Sequence, residues 1–211
     1  MSNTPKSASE KAFQENFVKE LQKYKWEAPD FLNGNIQKVT VPDLVNHWRS
    51  ELNRINADQL EGVALTDNEF KQVMAKVNQI SNSYEAAKLL AIEESKGKID
   101  GIYRDENAEI TRKQITLTIF KKAEVRGGDS SYHIAREVQT ANGNRFDLVL
   151  LINGLPLINI EQKRTDKTLD EAFGQFIRYY RDGEYSNNFM AFSQMMVITT
   201  ETVSYTHLTL P

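Results

Sequence analysis

Two apolar runs separated by Asn153-Gly154 constrain this chain more than any other stretch. Residues Phe146-Asp147-Leu148-Val149-Leu150-Leu151-Ile152 read as a strand, and Leu157-Ile158-Asn159-Ile160-Glu161 as its return. Strands this apolar are buried, and buried strands rarely hold carboxylates, because an unpaired charge there is costly. Yet Asp147 lies inside the first run, and Glu161 and Lys163 end the second. Gly154 is first of all a turn glycine.

Register decides whether these charges meet. Side chains alternate along a strand, so Glu161 and Lys163 share a face. Asp147 joins them only if paired positions sum to an even number. A plain two-residue turn at Asn153-Gly154 pairs Ile152 with Leu155, an odd sum, and turns Asp147 away from Glu161. A three-residue loop pairs Ile152 with Pro156 and Asp147 with Glu161; a β-bulge near the turn restores the same phase. Pro156 cannot donate a ladder hydrogen bond, which makes an irregularity plausible there. The sequence therefore predicts an odd loop or a bulge. Two carboxylates and an ammonium at adjoining strand ends then form a hard-oxygen site for Mg²⁺ or Mn²⁺, with a lysine to orient water or offset charge.

Around this hairpin the pattern alternates between helices and strands. Phe13, Phe17, Leu21 and Tyr24 mark a helix over about 10–24. Pro42 opens a second, to Ile55, with Leu44, Val45, Trp48, Leu52 and Ile55 on one face. Thr66-Asp67-Asn68-Glu69 is a capping box ahead of Phe70, Val73, Met74, Val77 and Ile80. A further helix spans about 83–95, stopped by Gly97. Residues 98–104, 113–121, 132–138 and 195–199 read as strands, with a turn cluster at 126–130. Thr168-Leu169-Asp170-Glu171 is a second capping box, opening a helix to Arg181 whose predicted buried face is Phe173, Phe176, Ile177 and Tyr180. Gln175 and Tyr179 stack four apart beside it. This order predicts an α/β fold with a mixed central sheet flanked by helices. Trp26, Trp48 and the aromatic stripes are expected in the core.

Composition removes several alternatives. The chain has 211 residues and a net charge of -3, with a pI near 5.7, which excludes a strongly basic nucleic-acid binder. It has no cysteine, so disulfides and thiolate chemistry are absent. Its three histidines, His47, His133 and His207, are scattered and leave little for zinc; His47 and His133 are expected to be lone structural residues. No apolar run approaches the ~18 residues of a membrane span, and the polar N-terminus carries no signal peptide, so a cytoplasmic protein with no membrane contact is expected. There is no GxxxxGK[ST] loop for ATP. Arg164, Lys167, Arg178 and Arg181 alternate with acidic residues, so any phosphate-binding strip is narrow.

Asp147, Glu161-Gln162-Lys163 and Gln175-x-x-x-Tyr179 resemble the PD-(D/E)xK nuclease signature with its downstream QxxxY helix motif. RFDLVLLINGLPLINIEQKR, DEAFGQFIRYYRD and QMMVITT, with NRINADQLEGVALTDNEFKQVM upstream, resemble more narrowly the N-terminal nuclease domain of the R (HsdR) subunit of type I restriction enzymes, over about 40–200. The resemblance implies a restriction-endonuclease-like core at 81–200, preceded by a tail (1–10) and a helical segment (11–80) packed on it. It implies Mg²⁺ (or Mn²⁺) ligands at Asp147 and Glu161, a catalytic Lys163, and DNA-supporting roles for Gln175 and Tyr179. Arg164 and Lys167 join them as candidate DNA contacts. It also implies double-stranded DNA as substrate, modification (M) and specificity (S) subunits as partners, and ATP used only by motor domains of a longer parent subunit. Some superfamily members add an acidic residue from an early helix, for which Glu85, Glu93 and Glu94 are candidates. Phe146 stands where the signature's name puts Pro. Residues 201–211 do not resemble the family's continuation and are expected to be an atypical tail left by truncation. The rival expectations are a stand-alone or repair-type nuclease of the same superfamily, and a non-catalytic DNA-binding or assembly module.

Overall fold

The computed structural model describes residues 8–91, 97–107, 109–120, 129–163, 169–200 and 204–208. Helices α1 (Ala8–Gln22), α2 (Val41–Ile55), α3 (Asp67–Val77) and α4 (Ser83–Ala91) come first. Strands β1 (Lys98–Tyr103), β2 (Gln114–Thr118), β3 (Tyr132–Gln139), β4 (Arg145–Ile152) and β5 (Leu155–Gln162) follow. Helix α5 (Leu169–Arg181) then leads to β6 (Met195–Thr199) and β7 (Ser204–Leu208).

Local chemistry explains the helix starts. Asp43 accepts hydrogen bonds from the Thr40 backbone and hydroxyl ahead of α2, whose first turn tolerates Pro42. The Thr66–Glu69 capping box opens α3 as expected. Leu44, Trp48 and Leu52 of α2 are fully buried, and the Trp48 indole packs against Phe70, Phe189 and Phe192. That core runs from α2, α3 and α4 to one side of the main sheet. On the other side, Val18 of α1 packs with Ile134, Leu148, Leu150 and Ile160.

The main sheet has the order β3-β4-β5-β6-β7. Only β5 and β6 are parallel, the pairing that needs a crossover, and α5 lies on that connection. Strands β1 and β2 form a separate two-stranded sheet rather than extending the main one. Residues 204–208, within the stretch expected to be an atypical tail, pair antiparallel with β6 as the edge strand.

The hairpin of β4 and β5 carries the predicted irregularity. Asn153 and Gly154 both have positive φ, 50° and 77°, as a type I′ turn requires, and Ile152 pairs with Leu155. Leu151 then pairs with Pro156, but Leu150 pairs with Ile158, leaving Leu157 unpaired as a bulge. From there Leu148 pairs with Ile160, an even sum. The next positions along are Asp147 and Glu161.

One expected face is corrected. Among the described side chains of α5 the buried ones are Phe176 and Tyr179, whereas Phe173, Ile177 and Tyr180 are exposed by 42–45%. The helix is therefore rotated toward Tyr179, whose ring meets Phe146 edge-on 5.1 Å away. On α1 Gln14 and Val18 are buried, Phe17 and Leu21 pack half-buried against the same cluster as Val18, Phe13 is half-buried, and Tyr24, beyond the helix end, is exposed. The turn cluster at 126–128, the Thr168 cap, Glu93 and Glu94 lie outside the described residues.

Candidate functional site

The strand ends beyond the last paired rung, Leu148–Ile160, bring the charges together. Asp147 and Glu161 are 4% and 1% exposed. Asp147 Oδ2 accepts a hydrogen bond from the Gln162 backbone N–H at 2.8 Å, so a side chain takes the place of the next rung. The two carboxyl groups also share a side-chain hydrogen bond, and burial, then the neighbouring Asp147 charge, pushes Glu161 up to about 8 against the pull of Lys163.

Lys163 closes the site from the β6 side, its backbone N–H bonded to Thr199 O at 2.9 Å. Its Nζ donates to Glu161 Oε1 and to Gln175 Oε1, both at 2.6 Å. Gln175 Nε2 donates to the Tyr179 hydroxyl at 2.5 Å, and that hydroxyl donates to the Arg145 carbonyl at 2.8 Å. It also lies 3.4 Å from Glu161 Oε2, which completes a ring of four side chains. Burial and the Glu161 charge raise the Tyr179 phenol well above its ordinary value, so it acts as a neutral hydrogen-bonding group. Five residues singled out from the sequence, Asp147, Glu161, Lys163, Gln175 and Tyr179, thus converge, whereas Arg164 and Lys167 lie outside the described residues.

Other neighbours carried no sequence signal. Glu137 on β3 is buried with φ +52° and is bonded to Arg145 at 2.9 Å. Gln14 of α1 donates to Glu137 Oε1 at 2.8 Å and to the Asp147 carbonyl at 3.3 Å. The early helix therefore reaches this place through an amide. Glu85, the described candidate for an extra acid, pairs instead with Lys88 at 2.9 Å, half exposed on α4.

The donor set fits a hard divalent ion. Two carboxyl groups are held together out of water, and burial with the Asp147 charge outweighs the Lys163 ammonium in raising Glu161. A cation in their place would relieve that repulsion.

Residues 7–209 match the family model described as the type I restriction enzyme R protein N terminus, HSDR_N. The chain belongs to that family. Among curated members of the R-protein group, the SauCOLORF180P endonuclease subunit of Staphylococcus aureus (strain COL) is 30% identical over 168 residues. That alignment covers 77% of this chain and 16% of the relative. The EcoprrI endonuclease subunit of Escherichia coli is 31% identical over 107 residues, covering 50% of this chain and 29% of the relative. The chain thus spans about a sixth of the length of its staphylococcal relatives. No described helix is long and apolar enough to cross a membrane.

One expectation about this family member is overturned. His47 and His133 are not lone residues: His47 Nε2 lies 3.1 Å from His133 Nδ1, with the rings edge-on. Residues 86 apart in sequence meet because β3 runs beside α2. Burial, then His133 beside it, pushes the His47 imidazole below its ordinary value.

Proposed function

We propose that this R-protein N-terminal domain is the DNA-cleaving module of a type I restriction enzyme, hydrolysing phosphodiesters of double-stranded DNA with Mg²⁺. The convergence of Asp147, Glu161 and Lys163 at one pair of strand ends carries this reading. It is supported by the relatives, which are endonuclease subunits of type I restriction enzymes. Asp147 and Glu161 would hold the ion, and Mn²⁺ suits the same oxygens. When bound, the ion supplies Lewis acidity and an easily deprotonated water. Lys163, already an N–H donor toward Glu161, would face the scissile phosphate and offset its growing negative charge. Gln175 and Tyr179 would position that lysine: the amide accepts from Nζ, and the phenol anchors the amide to the Arg145 carbonyl. Water adds to phosphorus and the leaving oxygen departs as an alcohol.

In this reading the M and S subunits supply target recognition, and ATP is used by motor domains elsewhere in the longer subunit. The test uses the assembled restriction complex. Asp147→Ala or Lys163→Ala should abolish DNA cleavage, by about 10³-fold or more, while ATP hydrolysis continues. Cleavage that survives either change would overturn the assignment.

A further inference from the structure

We infer that His47, Glu51 and His133 form a second metal site, suited to a borderline transition ion of the Zn²⁺ class and separate from the carboxylate pair at the strand ends. The three side chains each offer one ligand atom, and these atoms lie within 4.8 Å of one another. His47 and Glu51 are four apart on α2 and so present to one side, while His133 comes across from β3. The 3.1 Å between His47 Nε2 and His133 Nδ1 is close to the roughly 3.3 Å that separates two nitrogens on one tetrahedral ion.

The surroundings are arranged as metal sites are. The hydrogen bonds on Glu51 from Arg54, at 2.8 and 3.0 Å, and from Ser131, at 2.7 Å, all fall on Oε2. The carboxylate is thereby held in one orientation beside the histidines. His133 uses Nδ1 toward His47, and its Nε2 lies 3.7 Å from the Glu27 carboxylate. Two imidazoles and one carboxylate favour Zn²⁺, Ni²⁺ or Cu²⁺ over Mg²⁺, which prefers oxygen alone. On binding, the ring that donates the His47–His133 hydrogen bond shifts its proton to its other nitrogen, so that both facing nitrogens offer lone pairs to the ion.

The site sits at the turn end of the hairpin. Arg54 also donates to Asn153 Oδ1 at 3.2 Å, and Ser131 N–H to the same oxygen at 3.0 Å. An ion here would therefore tie α2, β3 and the Asn153-Gly154 turn together.

Co²⁺, a spectroscopic substitute for Zn²⁺, tests this on the 211-residue chain in saturating Mg²⁺. One equivalent should give the intense visible absorption of four-coordinate cobalt, and Zn²⁺ should bleach it. Asp147→Ala should leave that signal unchanged, which separates this site from the proposed nuclease centre. His47→Gln and His133→Gln should each weaken binding about 100-fold or more, beyond the 10–100-fold typical of losing an outer partner. Absence of the cobalt band in the unaltered chain, or its persistence when His47→Gln and His133→Gln are combined, would overturn the inference.

Discussion

The Glu161 carboxyl retains a proton at a pH where an ordinary glutamate has lost it, because burial and Asp147 outweigh Lys163. A divalent ion must displace that proton. Mg²⁺ affinity should therefore rise about tenfold per pH unit and level off above about 8. Titration calorimetry from about pH 6 to about pH 9 checks this; a flat profile would contradict it. The stability sign runs the other way. Between the ordinary 4.5 and about 8, the folded chain binds more protons than the unfolded one. The contribution is complete below that window and is lost as pH rises through it. Glu161→Gln should remove this slope and stabilise the metal-free chain at about pH 8 by on the order of 1 kcal/mol in urea unfolding. A second residue-scale prediction concerns Glu69 and Arg104, paired at 2.9 Å with both side chains 1% exposed. Removing Glu69 strands a buried guanidinium, so Glu69→Ala should cost about 3–5 kcal/mol in the same measurement.

At the scale of elements, the hairpin is where sequence and structure agree most closely. The Asn-Gly turn fixes a two-residue connection, which alone would misplace Asp147; the Leu157 bulge, next to the proline that cannot donate, corrects the phase. Gly154 leaves little room for change. A Cβ there would lie 2.8 Å from the Trp48 Cα, and the φ of +77° already disfavours one. Gly154→Ala should destabilise the fold by about 2–3 kcal/mol, read from the urea midpoint, and loosen the hairpin against α2. Helix α5 was less legible. Its apolar residues outnumber what one face can bury, so periodicity could not say which would face solvent; the Tyr179 hydroxyl finds the Arg145 carbonyl, and that bond turns the helix. The His47–His133 contact was not legible at all, since it depends on which strand lies beside α2 and no spacing within one element reports that. The same limit hid Glu137 and Gln14, whose roles come from register and helix placement.

For the molecule as a whole, the charge balance matters more than its sign. A net charge of -3 with alternating charges near α5 leaves few cations for a phosphate backbone. Binding of this chain alone to duplex DNA should weaken only about tenfold between about 50 and 200 mM salt, the slope of about two phosphate contacts. Fluorescence anisotropy with a labelled duplex measures it, and a loss of about a thousandfold would reveal a basic surface this reading does not include.

The hydrogen bond from the Gln162 amide to Asp147 has a further consequence. That amide donates directly to a proposed ion ligand, and it is held by an oxygen whose charge would be drawn elsewhere on coordination. Its nitrogen and proton resonances are thus a natural gauge of site occupancy. They should shift with added Mg²⁺, and the chain would report on its own loading without any label placed in the cleft.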